Sequence, residues 1–344
     1  CVGFKNLNAA ASGQFNTSMG FAALNRYTGD ENVAIGAYAL HYATTASRST
    51  AIGMQAGFQI STGDENTMVG YKAGQNINTG EYNVGLGSLA TLAMTTGTFN
   101  VALGRTALYQ LTTGTNNIGI GYDAFQAITT QGYNTGVGGS VGTFQTGNYN
   151  TSMGYFSNYG VSTASSGSYN STYGYFAGAY NRGENNTFLG ALAGRFNSTG
   201  VRNTIVGSQA ADNATITGND NTALGFGAAH NISSAIENVS IGSYSFFAAN
   251  GSYNIAVGKE TLYYTSGNGN TALGHRAGHS CTSGGNNVFV GGTVAHNVTS
   301  GYDNIGMGND AMYELTTGAN NIAIGRYAVR YVYGANGNIG IGYQ

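Results

Sequence analysis

The chain has no proline and no tryptophan, only two cysteines, and charged side chains at 8% of its 344 residues. Proline removes a ladder hydrogen bond wherever it falls, so its absence suits a backbone paired along its whole length. Cys1 and Cys281 make no disulfide framework, and in a linear array more than sixteen repeats would lie between them, far beyond the ~7 Å Cα reach of a bridge. A free or intermolecular thiol is expected. Twelve Lys and Arg are scattered singly in a chain of net charge -2, so no clustered basic surface invites nucleic acid. No uncharged apolar run reaches the length of a membrane helix, and we expect no membrane span in this segment.

What the chain has is a beat. A unit reading Asn-(Thr/Val/Ile)-small-(Ile/Leu/Val/Met)-Gly-x-x-Ala recurs about every 17 residues, as in NVAIGAYAL, NTALGHRAG and NIAIGRYAV. Its closing glycine falls at 3, 20, 36, 53, 70, 87, 104, 121, 138, 154, 174, 190, 207, 225, 242, 258, 274, 291, 308, 325 and 342. An unbroken period argues for a single continuous array over 1-344, quasi-one-dimensional in its stability. The chain opens and closes within the repeat pattern, so we expect it to be a window on a longer polypeptide.

Seventeen residues are too few for a helical repeat, and β-branched beats between Asn/Gly turns suit short strands. The fold class expected is all-β: a parallel β-solenoid, or β-roll, of about twenty 17-residue coils. Coils ~4.8 Å apart would make a rod of roughly 95 Å.

Positions are counted here from the closing glycine. At −1 stands a large apolar residue (Val2, Met19, Ile35, Ile52, Val69 and onward to Ile341, with Tyr173 the exception), which we expect to form the core stack. At +3 stands alanine in most coils (Ala23, Ala39, Ala56, Ala73, Ala90, Ala107), small enough for two walls to approach closely. At −4 stands asparagine: Asn16, Asn32, Asn66, Asn83, Asn100, Asn117, Asn134, Asn150, Asn170, Asn186, Asn203, Asn221, Asn238, Asn254, Asn270, Asn287, Asn304, Asn321 and Asn338, with Ser49 the one exception. An amide carries donors and an acceptor, so stacked Asn side chains can bond along the array as a structural ladder.

Positions −4 to −1 hold no charged residue in any coil. Alternation puts one face of such a strand outward, and a bare uncharged stripe of that length asks for a cover. Another copy of the same chain is the economical one, with a lone solenoid bearing a polar-neutral face as the alternative.

The motifs NVAIGAYA, NIAIGRYA and NTALGHRA resemble the head repeats of trimeric autotransporter adhesins (YadA-like) and repeats of some phage tail-fibre proteins. That resemblance implies a left-handed parallel β-roll, three chains side by side, and display outside a cell or on a virion to hold a surface. The extra Thr-Gly turn in YTGDEN, STGDEN, LTTGTNN and LTTGANN departs from the shorter repeat of the adhesin heads.

Candidate sites are few. Asp30-Glu31 and Asp64-Glu65 recur in two TGDEN turns and read as solvated turn acids in preference to a calcium or general-acid site. His279 and His296 share a repeat position, with His275 and Cys281 near in sequence, and read as a surface ladder in preference to a metal site. Aromatics gather after the glycine at Tyr38, Tyr71, Tyr122, Tyr244 and Tyr327 among others. The pairs Tyr155-Phe156 and Tyr175-Phe176, beside the inserted stretch GVSTASSGSY, are candidate contacts for sugar rings, against plain cross-coil stacking. Ten Asn-x-Ser/Thr sequons occur, with Asn185, Asn197, Asn213, Asn231, Asn250 and Asn297 in or near turns as candidate glycan carriers.

The expected function is the shaft or head of an adhesive fibre, extracellular, on a cell surface or on a virion, homotrimeric, without catalysis or cofactor. Its partners would be copies of itself and cell-surface glycans or a host surface. Two alternatives stand beside it: a self-assembling, glycosylated extracellular filament, and a tailspike-like solenoid that binds or cuts polysaccharide, which needs clustered carboxylates in a groove. An ice-binding rod needs a flat exposed Thr array, and the exchange of Thr with Val33, Val84, Val101, Ile118 and Ile255 at −3 reads as a buried position.

Overall fold

The computed structural model describes residues 12–25, 27–160 and 167–343. Its fold is an all-β parallel solenoid of about 19 turns with coils of about 17 residues. The chain divides into two compact units, Cys1–Asn170 and Ser171–Gln344. Unit 1 carries nine strands, from β1 (Thr17–Met19) to β9 (Thr151–Met153), and unit 2 carries eleven, from β10 (Ser171–Tyr173) to β20 (Ile339–Ile341). Val2 and Cys1 lie outside the described residues, as does most of the inserted stretch, at 161–166.

Each strand is three residues long and occupies positions −3 to −1. Pairing within a unit is parallel and in register on the repeat, as in Val33↔Thr50, Ala34↔Ala51 and Ile35↔Ile52. The register is set by hydrogen bonds one coil away: Val84 N–H donates to the Asn100 carbonyl at 2.8 Å, and Gly87 N–H to the Val69 carbonyl at 2.8 Å.

Two backbone features bracket the strand. Position −5 is left-handed in coil after coil whatever residue stands there: Glu65 (φ 58°), Tyr82 (58°), Arg202 (56°) and Asp303 (56°). The closing glycine then sits near φ 130°, as at Gly53 (131°) and Gly121 (133°), a region that L side chains do not occupy. A Cβ on Gly104 would also stand 2.5 Å from the Gly121 carbonyl oxygen of the next coil. The chain therefore turns a corner at both ends of every strand. Positions +2 and +4 are left-handed as well, for example Gln55 (58°) and Leu108 (51°).

Strand faces run opposite to the sequence expectation. The buried residue is the middle one, at −2, and the large aliphatics at −1 point outward: Met153 in unit 1 is 44% exposed, and Leu224 and Leu273 in unit 2 are 46% and 48%. The −1 column is therefore not the core stack. Position −3 faces out too, with Ile255 at 43%, so its Thr/Val/Ile exchange does not report burial, and the argument that rested on it falls. Position −1 never carries Thr, so no coil offers a paired Thr row on this face.

The core is instead made by −2, +3, +4 and +7. The +3 alanines Ala23, Ala39, Ala56, Ala73, Ala90 and Ala107 are fully buried, and the +7 column supplies Ile60, Ile77, Met94 and Leu111. Volume is traded between −2 and +4, which share one space. Where −2 is Phe188, the adjoining +4 residues are Gly178 and Gly194, and a Cβ on either would stand 2.5 Å from the Phe188 ring. Where +4 is Leu108, −2 of the next coil is Gly119, whose Cβ would lie 3.2 Å from the Leu108 side chain. A coil this thin has room for one large side chain at that level, and at −1 the large residue goes outside.

Candidate functional site

The −4 asparagines form the ladder expected of them. At Asn100 the side-chain oxygen accepts from the Asn117 backbone N–H and from Asn117 Nδ2, both at 3.0 Å. Asn100 Nδ2 in turn donates to Asn83 Oδ1 at 3.1 Å and to the turn carbonyl of Gly114 at 2.9 Å. Each amide thus joins its own coil, the rung before it and the Thr-Gly turn beyond. The rungs are buried between Asn32 and Asn321, and Asn16 and Asn338 are half-buried. This ladder is structural, since both ends of each amide are spent on the fold.

A second set of caps was not visible in the sequence. Asp, Asn and Ser side chains at −6 reach back one coil to a backbone N–H: Asp64 Oδ1 accepts from Ser47 N–H at 2.7 Å, Asn268 Oδ1 from Ser252 N–H at 2.8 Å, and Asn336 Oδ1 from Ala319 N–H at 2.7 Å. Of this set the sequence reading placed only Asp30 and Asp64 in turns, without the bond either makes.

Asp64 and Glu65 pair with Arg48, which lies in the coil between the two acidic turns and which the sequence reading overlooked. Arg48 Nε meets Glu65 Oε1 at 3.0 Å and Nη2 meets Asp64 Oδ2 at 3.3 Å. Asp64 and Glu65 are spent on this exposed ion pair, and Asp64 and Asp30 each cap a backbone N–H, Asp30 that of Gln14 at 2.7 Å. No group of three or more His, Cys, Asp or Glu side chains among the described residues is arranged to hold a metal.

His279 and His296 do stack, with ring centroids 4.9 Å apart and planes 3° from parallel. They belong to a longer column at +5 in which His230, Phe247, Tyr263, His279, His296 and Tyr313 follow ring on ring at 4.6–5.2 Å. The Arg330 guanidinium lies 5.3 Å from the Tyr313 ring centroid. Face-to-face imidazoles direct their ring nitrogens sideways, so the two do not converge on one ion. Burial, then the charges of His296 and Arg276, holds His279 below its ordinary 6.5. Cys281 sits in the +7 core column, fully buried, and burial pushes its thiol up to about 12, which makes it inert.

Among the aromatic candidates, Tyr155 meets Phe156 edge-on at 4.3 Å, and Phe156 meets Tyr159 at 4.6 Å. Tyr175 meets Phe176 at 4.6 Å. Both tyrosines are about half exposed. The inserted stretch expected to flank them lies largely outside the described residues.

One sequon is corrected. Asn197 is fully buried at +7, and its Nδ2 donates to Asn181 Oδ1 at 2.6 Å and to the Gly200 carbonyl at 2.8 Å, so it cannot carry a glycan. Asn185, Asn213 and Asn250 are exposed, and Asn231 and Asn297 are half-buried. Asn213 Nδ2 donates to Asn231 Oδ1 at 2.6 Å, and Asn297 Nδ2 to Glu314 at 3.2 Å.

The outward strand face is an exposed apolar surface two columns wide, at −3 and −1. Along unit 2 its eleven strands make a stripe about 50 Å long and about 10 Å wide, on the order of 500 Å². No charge interrupts it at −4 to −1. No protein-family model matches the chain, and no curated protein matches it.

Proposed function

We propose that this chain is a structural segment of an adhesive fibre displayed outside a cell or on a virion, whose copies pack side by side through the −3/−1 strand face, three to an assembly. The observation that carries this reading is the outward orientation of the large aliphatics at −1 in coil after coil, Leu224 and Leu273 among them. A stripe on the order of 500 Å² from one unit is at the upper end of what a lone chain leaves bare. Its repeat along the sheet is the ~4.8 Å strand spacing, and a second copy in register is the partner whose side chains recur at that same interval. With no charge on the stripe, like faces meet without repulsion. Each strand offers two columns, one for each neighbour around a three-fold axis, which fits the trimer that the repeat's resemblance to autotransporter heads implies.

Light scattering together with small-angle X-ray scattering tests it. Three chain masses are expected for the wild type, and a single chain mass for the double variant Leu224→Glu, Leu273→Glu. A wild-type monomer overturns the proposal. A stable dimer keeps the face and overturns the three-fold arrangement, and unlimited growth favours the filament reading.

A further inference from the structure

Where the +5 ring column of unit 2 passes Tyr263 and His279, the surface opens into a recess of about 310 Å³ lined by Tyr244, Glu260, Tyr263, Tyr264 and His279. Two features set this place apart from the rest of the column. Rings within the column cover one another's faces, but Tyr264 stands across it, 67° from the Tyr263 plane and 88° from the His279 plane, and is 49% exposed. Below it the Glu260 carboxylate is fixed by Arg276 Nε at 2.6 Å and Lys259 Nζ at 3.3 Å.

Unit 1 repeats the ring geometry without the carboxylate. Tyr42 stands 78° from His41 and 81° from Phe58, and Tyr38 occupies the position that Glu260 holds in its own coil. The molecule thus carries its own control.

We propose that the recess binds a pyranose ring of a surface glycan, with its apolar face on the Tyr264 ring and its hydroxyls on the Glu260 carboxylate and the Arg276 guanidinium. A pyranose presents C–H groups on one face and hydroxyls at its rim, and a tilted aromatic beside an immobilised charged pair matches both. The volume is that of a small-molecule site at the lower end of the usual range, suited to one sugar ring. A quaternary ammonium would also seek tyrosine faces, but it has no hydroxyl or N–H to engage the Glu260 carboxylate that Lys259 and Arg276 hold in place.

This site deepens the attachment reading above and rests on it for its purpose. Saturation-transfer NMR on the full chain, with its association state measured on the same sample, separates failure of one from failure of the other. The probes are the methyl glycosides of glucose, galactose, mannose, N-acetylglucosamine and N-acetylgalactosamine, and tetramethylammonium. Transfer to at least one glycoside is expected, weakened tenfold or more by Tyr264→Ala and by Glu260→Gln, retained in Tyr264→Phe and unchanged by Tyr42→Ala. Absence of transfer to every glycoside overturns the proposal, as does undiminished transfer in Tyr264→Ala or binding of tetramethylammonium alone.

Discussion

The backbone N–H of Asn66 donates to the Ser49 hydroxyl at 3.2 Å, where the neighbouring rungs use an asparagine Oδ1, as from Asn83 N–H to Asn66 at 3.1 Å and from Ser49 N–H to Asn32 at 2.8 Å. A hydroxyl replaces the acceptor and leaves out the amide's donors. The two substitutions at this level should therefore differ in sign. Ser49→Asn restores a rung and should stabilise by about 1 kcal/mol, whereas Asn100→Ala strands the Asn117 amide and the Gly114 carbonyl and should cost about 2–4 kcal/mol. Denaturant melts of both variants check this, and an Asn100→Ala protein as stable as the wild type would remove the ladder from the account.

Gly121 combines φ 133° with a Cβ direction that runs into the Gly138 carbonyl of the next coil. Gly121→Val should cost more than ~3 kcal/mol in backbone strain and displacement. Because coils contact their neighbours, the loss should appear first as faster hydrogen exchange at Val101–Leu103, Ile118–Ile120 and Thr135–Val137. Uniform exchange across unit 1 would contradict that locality.

Gln55 holds a left-handed backbone at φ 58°. Glycine relieves that strain at some cost in unfolded-state entropy, so Gln55→Gly should raise stability by about 0.5 kcal/mol, with an increase in the melting midpoint as the readout. Gln55→Val should lower it.

Burial, the stacked His296 and the nearby Arg276 hold His279 below 6.5, against a smaller opposing pull from Glu260. The unfolded chain then binds more protons than the folded one below that value, so stability is intact above about pH 6.5 and falls as the pH is lowered through it. Thermal melts between pH 7 and pH 5 should show this slope, and His279→Phe, which keeps a ring in the column, should flatten it.

Much of the framework was legible before any coordinates. The recurrence of asparagine at −4 in every coil but that of Ser49, the beat of the closing glycine and the +3 alanines located the strands and the ladder, because a repeated residue in a repeated structure has one job. The orientation of the strand was not legible. Large aliphatics normally mark a core, but the interior at −2 is already filled by the +4 and +7 side chains, and the pairing of Phe188 with Gly178 and Gly194 shows how little space remains. Left-handed residues such as Tyr82 and Arg202 at −5 also gave no signal, since nothing in those side chains favours φ above zero and the cross-coil bonds impose it. Of the candidate sites, Asn197 was misjudged because a sequon carries no information on burial, and the Tyr264–Glu260 recess was missed because its two parts share no motif.

The backbone donors of a coil find their acceptors about 17 residues away, as Val84 does at Asn100 and Val288 at Asn304. Such a fold is indifferent to which copy of the unit comes next. A gene encoding it can therefore lose or gain blocks of about 17 codons by recombination between its own repeats and still specify a foldable protein. A change of a few codons within a block is taken up in that coil alone, since Asn150 and Asn170 bond as rungs across 20 residues and Asn203 and Asn221 across 18 while the later rungs stay in step. Length becomes a heritable trait that varies in quanta, separately from the residues that decorate any one coil.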